Sequence, residues 1–304
     1  ILSYRFSLKK NHRLDLMAGH EMVSNYRNQM IASSKYYPMD FTASEVLAMW
    51  NYGESQPTYT TLGEPSRTAS YFGRLNYAFK DRYMFTFTAR ADGTNVFAPE
   101  NRWGFFPGVS AGWIFGQENF VKDALPFLSF GKLRASYGVN GNATGIGAYD
   151  LQGSYNSQKY NGNVGFLIGA LPNPGLKWEK TRTAEVGIDM SFFENRLNAN
   201  FTYYNRLTSD KYANLSLPST TGFSSIKNNN GKFRNSGVEI ELSGKILKTK
   251  DWSWDLGGNI SFNKNKMVSL PDNGLIRNQQ DAAQIYSGRQ LCSCRGRRDK
   301  TSNA

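Results

Sequence analysis

The chain has 304 residues, of which 39% are hydrophobic, and a formal net charge of +12 at pH 7. This hydrophobic fraction lies below the roughly 45–50% typical of globular proteins, so a conventional large core is not expected. The 20 Phe, 17 Tyr and 29 Gly residues favour many strands joined by turns over a helical fold. No apolar run approaches the roughly 20 residues of a membrane-spanning helix.

Two-residue alternation of apolar and polar side chains predicts about ten β-strands. In chain order they lie near residues 4–8, 13–19, 71–80, 83–90, 105–115, 128–138, 176–192, 196–208, 238–246 and 252–263. From Leu176 to Phe192 the even positions are mostly apolar and the odd positions are polar, and the run from Trp252 repeats the pattern. Several runs reach the roughly 9–11 residues that a tilted membrane strand needs.

The connections between these strands alternate between short and long. Brief turns are predicted near Asn11, Asp81, Asn195 and Lys250, with a modest link at 116–127, whereas long loops are predicted at 21–67, 91–102, 139–175 and 209–232. Short turns on one side and long loops on the other are typical of outer-membrane barrels. A β-sandwich or a propeller has no reason to sort its long loops in this way.

Aromatic residues concentrate toward the ends of the predicted strands. They are Trp103, Phe105, Phe106, Trp178, Tyr203, Tyr204, Trp252 and Trp254. Amphipathic rings favour the membrane–water boundary, so we expect these side chains to form aromatic girdles. The alternative interpretation places them in the core of a soluble sheet.

The two ends of the chain do not continue the barrel pattern. Ile1 does not open a signal peptide, so we expect an exported protein to contain more than this chain. Cys292 and Cys294 have neither ordinary disulfide spacing nor the partners of a zinc site. We therefore predict a partial barrel at 1–288 and an irregular basic tail at 289–304, interpreted as the result of truncation or frame disruption.

Several strings of the sequence together resemble the SusC/RagA group of TonB-dependent outer-membrane transporters. The strings are RADGTNVF at 90–97, NRWGFFP at 101–107, LRASYGVNGN at 133–142, NPGLKWEKT at 173–181 and NSGVEI at 235–240. A weaker match, LDLMAGHE, lies at 14–21. Each string also has a local interpretation, because Asp92-Gly93 and Asn173-Pro174-Gly175 are turn sequences. On that interpretation most of these residues shape loops and rims.

The resemblance implies an all-β fold, with this chain supplying about ten strands of a 22-stranded antiparallel barrel that encloses a plug domain. Barrels of that size are known as plugged transporters. The resemblance further implies energy from the TonB-ExbB-ExbD system through an N-terminal region outside this chain, and a SusD-like surface lipoprotein as partner. The implied ligands are oligosaccharides or, in some members, peptides.

Catalytic chemistry is not predicted. His12 and His20 have no motif partner, and Ser136 and Ser236 lack the Gly-x-Ser-x-Gly elbow of an exposed nucleophile. No metal, phosphate or redox motif is present in the sequence, so no cofactor is expected. Nucleic-acid binding is disfavoured because acidic residues are interleaved with the basic ones outside the tail.

Charged residues on the polar face of the predicted strands are candidates for lining the barrel lumen. They are Arg74, Arg90, Lys132, Arg134, Lys177, Glu179, Glu185, Asp189, Glu239 and Glu241. Cross-strand pairing would give them a structural role. The functional alternative is a hydrated pathway of mixed charge that suits polar solutes.

Aromatic and amide side chains in the long loops are the candidates for ligand contact. They are Tyr36, Tyr37, Trp50 and Tyr52 in the first loop, and Tyr149, Tyr155, Asn156, Tyr160, Asn161 and Asn163 in the loop at 139–175. Flat rings with directional polar groups suit sugars, and binding residues are often found on loops. The sequence thus predicts a segment of a nutrient importer in contact with outer-membrane lipid. The competing hypothesis is a surface β-protein without transport, either an adhesin or a soluble all-β carbohydrate-binding module.

Overall fold

The computed structural model describes residues 1–8, 11–37, 42–55, 59–63, 65–147, 150–249, 251–269, 275–277 and 284–286. The strands and helices in chain order are β1 (Leu2–Leu8), β2 (His12–Asn25), β3 (Asn28–Ile31), β4 (Ser34–Lys35), α1 (Ala43–Ala48), β5 (Glu54–Ser55), β6 (Tyr59–Leu62), β7 (Ser66–Phe79), β8 (Tyr83–Thr94), β9 (Trp103–Trp113), α2 (Asn119–Ala124), β10 (Leu128–Asn142), β11 (Ser154–Tyr160), β12 (Asn163–Ala170), β13 (Glu179–Phe192), β14 (Leu197–Ser216), β15 (Ser225–Lys248), β16 (Ser253–Ser269), β17 (Leu275–Arg277) and β18 (Gln284–Tyr286). Short 3-10 turns lie at Trp50–Tyr52, Pro99–Asn101, Phe115–Gln117 and Ser219–Thr221.

Ten of these strands form one large antiparallel sheet in the order β1-β2-β7-β8-β9-β10-β13-β14-β15-β16. Each strand pairs with the next long strand along the chain, so the sheet is an up-and-down meander. The pairs β3–β6, β4–β5, β11–β12 and β17–β18 form small separate sheets. The prediction of ten strands in an antiparallel barrel segment is confirmed. No helix in the described ranges is both long enough and apolar enough to cross a membrane.

The register gives the large sheet two chemically different faces. One cross-strand row runs Phe85, Ala111, Ala135, Val186, Tyr203, Val238 and Phe262. Phe85, Val186 and Phe262 in this row are 52%, 50% and 60% exposed. Soluble proteins rarely expose contiguous apolar patches of this kind, whereas lipid covers them in a membrane barrel. We call this side of the sheet the outer face.

The opposite side, which we call the inner face, is polar. In the neighbouring row Thr86 lies opposite Ser110, Ser110 opposite Ser136, and Ser136 opposite Glu185. Thr183 and Arg206 face each other in the next row toward the long loops. Because successive residues of a strand point to opposite sides, the alternation read from the sequence becomes this separation of faces.

One predicted loop boundary is wrong. The segment at 209–232 is predicted to be a long loop, but β14 continues to Ser216 and β15 begins at Ser225, so the loop is only the eight residues 217–224. The run Asn228-Asn229-Asn230 lacks apolar alternation, which is the signal that predicts strands. A hairpin that projects beyond the bilayer does not need that alternation, because water can reach both of its faces.

The prediction of aromatic girdles is wrong for three side chains. Phe106, Trp178 and Tyr204 are buried, with exposures of 7%, 8% and 8%. Phe106 and Tyr204 follow outward-facing neighbours, and strand alternation turns them to the inner face. Trp178 precedes β13 and belongs to a buried cluster. Exposed aromatic side chains do remain at Trp103, Phe105, Tyr203, Trp252 and Trp254.

Candidate functional site

The inner face carries most of the charged side chains that the sequence proposes as lumen-lining residues. Register places Arg74, Arg90, Lys132, Arg134, Glu179, Glu185, Asp189, Glu239 and Glu241 on this one face. Lys177 precedes β13, and its ammonium group lies 3.2 Å from Asp210 Oδ1. The structure thus brings nine of the ten onto one surface, although they belong to different local networks.

Arg134 is the centre of the largest network. Its Nη1 donates to Glu185 Oε1, its Nε lies 3.3 Å from Asp189 Oδ1, and its Nη2 donates to Thr202 Oγ1 at 2.5 Å. The guanidinium lies over Gly187, where an added Cβ would be 2.6 Å from Arg134 Cζ. Glycine therefore leaves the space in which one arginine on β10 can bridge acceptors on β13 and β14.

Arg90 forms a second network nearer the long loops. Its Nε donates to Asp92 Oδ1 at 2.6 Å, and its Nη2 donates to Glu21 Oε2 at 3.1 Å and to Ser70 Oγ at 2.9 Å. The guanidinium also lies 5.4 Å from the centre of the Phe72 ring. Glu21, Ser70 and Asp92 were not identified from the sequence, because Glu21 and Asp92 lie in predicted long loops and Ser70 lies just before a predicted strand.

Glu179 is held at the point where β13 begins. Glu179 is 5% exposed. Its carboxylate accepts hydrogen bonds from Asn142 Nδ2 at 2.9 Å and from the Tyr212 amide at 2.7 Å. Lys211 Nζ lies 3.6 Å away. These contacts join β10, β13 and β14, so Glu179 has a structural environment and is not open to a solute.

Other candidates keep their charge free of ion pairs. Among the residues that the structure describes, Arg74, Lys132, Glu239 and Glu241 form no ion pair, although Glu241 accepts from Asn200 Nδ2 at 3.3 Å. Arg74 lines a groove of about 620 Å³. A neighbouring groove of about 640 Å³ is lined by hydroxyl, amide and guanidinium groups that include Thr88, Ser136, Asn140, Thr183 and Arg206. These grooves can donate to and accept from a polar solute.

The long-loop end of the sheet contains a buried apolar cluster, which we call the rim cluster. It consists of Phe97, Phe106, Leu176 and Trp178, with Phe97 and Leu176 fully buried. Trp178 Nε1 donates to the Arg102 carbonyl at 3.1 Å, and the Trp178 and Phe106 rings meet edge to face at 5.4 Å. The four members come from three of the strings that carry the family resemblance.

Glycines and amides complete the rim. A Cβ at either Gly104 or Gly141 would overlap the Phe106 ring. Asn229 Oδ1 accepts from the Lys177 amide at 2.9 Å, and its Nδ2 donates to the Lys177 carbonyl at 2.8 Å. Tyr212 Oη donates to the same carbonyl at 2.9 Å. The strings therefore shape the rim, in agreement with their local interpretation.

The loop candidates for ligand contact lie in two separate places. Tyr36, Trp50 and Tyr52 are 79%, 37% and 69% exposed near the small β4–β5 pair, where Tyr37 lies beside Gly53. Tyr155, Asn156, Tyr160, Asn161 and Asn163 lie on or between β11 and β12, which we call the loop hairpin. Tyr149 lies outside the described residues.

The loop hairpin is open to solvent on both faces. Tyr155 and Tyr160 are 72% and 84% exposed, and Phe166 on β12 is 73% exposed. Asn161 and Gly162 have φ of 48° and 79°, the left-handed pair that a tight hairpin turn favours. Its apolar residues were missed as candidates, although the run from Val164 to Leu171 is largely apolar within a predicted loop.

Residues 2–291 match the family described as TonB dependent receptor-like, beta-barrel. The chain therefore belongs to this family of outer-membrane receptors and transporters, and it is of the SusC/RagA type. Its location is the outer membrane, so the hypothesis of a soluble carbohydrate-binding module is wrong. The family consists of transporters and receptors rather than enzymes.

The chain is similar in sequence to two curated relatives. TonB-dependent receptor P3 of Formosa agariphila is 38% identical over 273 residues, which are 86% of this chain and 26% of the relative. TonB-dependent receptor SusC of Bacteroides thetaiotaomicron is 37% identical over 238 residues, 73% of this chain and 23% of the relative. The chain thus spans about a quarter of the length of these relatives.

The chain is similar in fold to two solved structures. The RagAB peptide importer in its "open-open" state superposes with a TM-score of 0.78 at 27% identity, over 94% of this chain and 31% of the solved chain. The outer-membrane transporter YddB of Escherichia coli, at 13% identity and a TM-score of 0.56, shows the fold alone. The resemblance to the SusC/RagA group is confirmed.

Proposed function

We propose that the full-length protein containing this segment imports oligosaccharides or peptides across the outer membrane. The observation that carries the proposal is the inner face, which is polar across the sheet and lies opposite an exposed apolar outer face. A wall of this kind separates lipid from a hydrated interior. The segment would supply part of that wall, with the lumen-lining candidates in contact with water or solute.

The chemistry of the inner face favours an uncharged or zwitterionic polar solute of many hydrogen bonds. Arg134 and Arg90 are already paired with carboxylates, so their charges are largely compensated. Hydroxyl and amide groups such as Thr88, Ser136 and Asn140 line the groove between them. Groups of this type can exchange hydrogen bonds with sugar hydroxyls or peptide amides at each step along the wall.

We further propose a SusD-like surface lipoprotein and the TonB-ExbB-ExbD system as partners. The similar proteins are TonB-dependent receptors by name, and the similar solved structure is a peptide importer. On this chain the loop hairpin supports a surface partner or a captured solute, because it presents Tyr155, Tyr160 and Phe166 to solvent. Contact with TonB would use a region outside this chain.

Uptake measurements test the proposal. The full-length gene, expressed in a strain that lacks it, should restore uptake of labelled members of one class when oligosaccharides and oligopeptides of matched size are compared. Deletion of tonB should abolish that uptake. Arg134→Gln, which breaks the network on the inner face, should reduce uptake more than Arg196→Gln, which removes an exposed arginine from a short turn.

Two outcomes would contradict importation. Binding of glycans to whole cells that is unchanged by tonB deletion, with no solute entering the periplasm, would favour the adhesin hypothesis. Equal uptake by the deletion strain and the complemented strain would remove the protein from the route altogether. A normal folded-to-unfolded mobility shift on electrophoresis should accompany each variant, so that loss of folding is not taken for loss of transport.

A further inference from the structure

On strands β13 to β16 the register places the acids on the inner face, which also carries Arg206. The inner face carries the acids Glu185, Asp189, Glu239 and Glu241. Over the half of these strands nearer the long loops, the charged residues that the register places on the outer face are five cations. They are Lys180, Arg182, Arg234, Lys264 and Lys266, which we call the basic patch.

The register of the basic patch places like charges side by side. Arg234 lies directly opposite Lys266, and Arg182 belongs to the same cross-strand row, separated from Arg234 by Leu207. Like charges directly opposite each other destabilise a sheet. Within the described ranges no member of the patch has an ion-pair partner, and the guanidinium of Arg182 donates only to Ser209 Oγ at 3.2 Å. An anion from outside the chain would remove this repulsion.

The basic patch lies directly above the lipid-facing belt. The row Val186, Tyr203, Val238 and Phe262 begins the apolar surface, with Tyr203 and Phe262 44% and 60% exposed. It lies four residues further toward the short turns than Arg234 and Lys266, and two further than Lys264. Outer-membrane barrels turn their long loops to the cell exterior. The patch therefore lies at the depth of the headgroups in the outer leaflet, whose major glycolipid carries phosphates.

We propose that the basic patch is a binding site for lipid A, with a phosphate held between Arg234 and Lys266 and acyl chains along Tyr203 and Phe262. Arginine and lysine donate charge-assisted hydrogen bonds to phosphate, and arginine can do so with two parallel bonds. The apolar row supplies the surface for the chains, so headgroup and tail are recognised together. The site does not depend on importation, because it faces lipid and not the lumen.

Native mass spectrometry of the full-length protein tests this site. The protein, purified in detergent and exchanged with added lipid A, should retain the lipid. The double variant Arg234→Gln with Lys266→Gln should retain at least about tenfold less, because two charge-assisted bonds are lost. The matched control is Arg196→Gln with Lys245→Gln, which removes the same charge from the turn before β14 and from the short-turn end of β15, and it should retain lipid A as the parent does.

Two ligand controls distinguish binding of the lipid from binding of phosphate alone, and a charge-preserving variant distinguishes loss of binding from misfolding. Dephosphorylated lipid A should be retained weakly, and inorganic phosphate at millimolar concentration should not displace lipid A. The charge-preserving variant Arg234→Lys should keep most of the retention. Equal retention of lipid A by the double Gln variant and the parent, equal retention of the dephosphorylated lipid, or displacement by inorganic phosphate would overturn the proposal.

Discussion

The rim cluster and the loop hairpin lie at the same end of the sheet but have opposite environments. Phe97 and Leu176 of the rim are fully buried, whereas Tyr155 and Tyr160 of the hairpin are 72% and 84% exposed. The rim joins residues far apart in sequence, as in the bond from Trp178 to the Arg102 carbonyl. Among the described residues, strands β11 and β12 of the hairpin pair only with each other. The strings that carry the family resemblance thus build a frame, and the exposed loops are left free for contacts with other molecules.

Removing the centre of the rim cluster should have the largest effect. Trp178→Ala deletes a ring that contacts both Phe97 and Phe106, and truncation of a buried aromatic residue costs about 3–5 kcal/mol. Urea unfolding of the full-length protein in detergent measures this loss. Trp103→Ala is the control, because that indole is 53% exposed and should cost much less. Similar losses of unfolding free energy for the two variants would show that the rim cluster does not stabilise the sheet more than an exposed aromatic residue does.

Enlarging a glycine in the rim should have the next largest effect. Gly141→Ala brings a Cβ into the Phe106 ring, and overpacking of a filled core costs about 1–3 kcal/mol. The same change in a Phe106→Ala background should cost little, since the ring is then absent. Gly258→Ala is the control, because an added Cβ there meets nothing within 4 Å. A cost that persists in the Phe106→Ala background would place its origin elsewhere than the ring.

The loop hairpin should show the reverse behaviour, with function affected and stability unaffected. Replacing Tyr155 and Tyr160 by Ala should change the free energy of unfolding by less than about 0.5 kcal/mol, as expected of exposed sites. Solute affinity should fall by about two- to tenfold, because an aromatic contact contributes roughly 0.5–1.5 kcal/mol. Calorimetric titration with the imported solute measures the change. Tyr4→Ala, an exposed tyrosine on the outer face of β1, should leave affinity unchanged.

The sheet could be predicted from the sequence because its signal is local. Alternation within one strand fixes which side chains share a face, so the faces of Glu185 and Asp189 followed from parity alone. The rim could not be predicted in this way, because Trp178 and Arg102 are 76 positions apart and no periodic pattern connects them. Phe97 gave only a weak signal, as a large apolar residue in a predicted loop, and Leu176 was predicted only as the first residue of a strand.

The partners of charged residues could not be predicted from the sequence either. The sequence placed Arg134 and Asp189 on one face but could not select their partners, because β10 and β13 pair across the whole loop at 143–178. Lys180 and Arg182 were visible as cations on the otherwise apolar positions of their strand. Their joining with Arg234 and Lys266 into one patch required the register of four strands.

The smallest effect on stability is expected at the short-turn end of the sheet, which is the end opposite the rim cluster. Glu118, in the connection before α2, accepts from Tyr83 Oη at 2.8 Å, from Trp113 Nε1 at 3.4 Å and from Arg82 Nη1 at 3.1 Å. The hydrogen bond from Tyr83 contributes most to lowering the pKa of this carboxyl below its usual 4.5, and the contacts with Trp113 and Arg82 add to it. Unlike the rim, this junction is held by a charge and should respond to pH.

A carboxyl whose pKa is lowered by folding stabilises the folded state above its unfolded pKa, and this contribution is lost as the pH falls through the folded value. Glu118→Gln should therefore be less stable than the parent at pH 7, and the difference should shrink as the pH is lowered below about 4.5. Urea unfolding between pH 3 and pH 7 measures it. Glu100→Gln, an exposed acid in the turn Pro99–Asn101, serves as the control. If the parent and Glu118→Gln differ by the same amount at every pH, the junction is held by shape and not by charge.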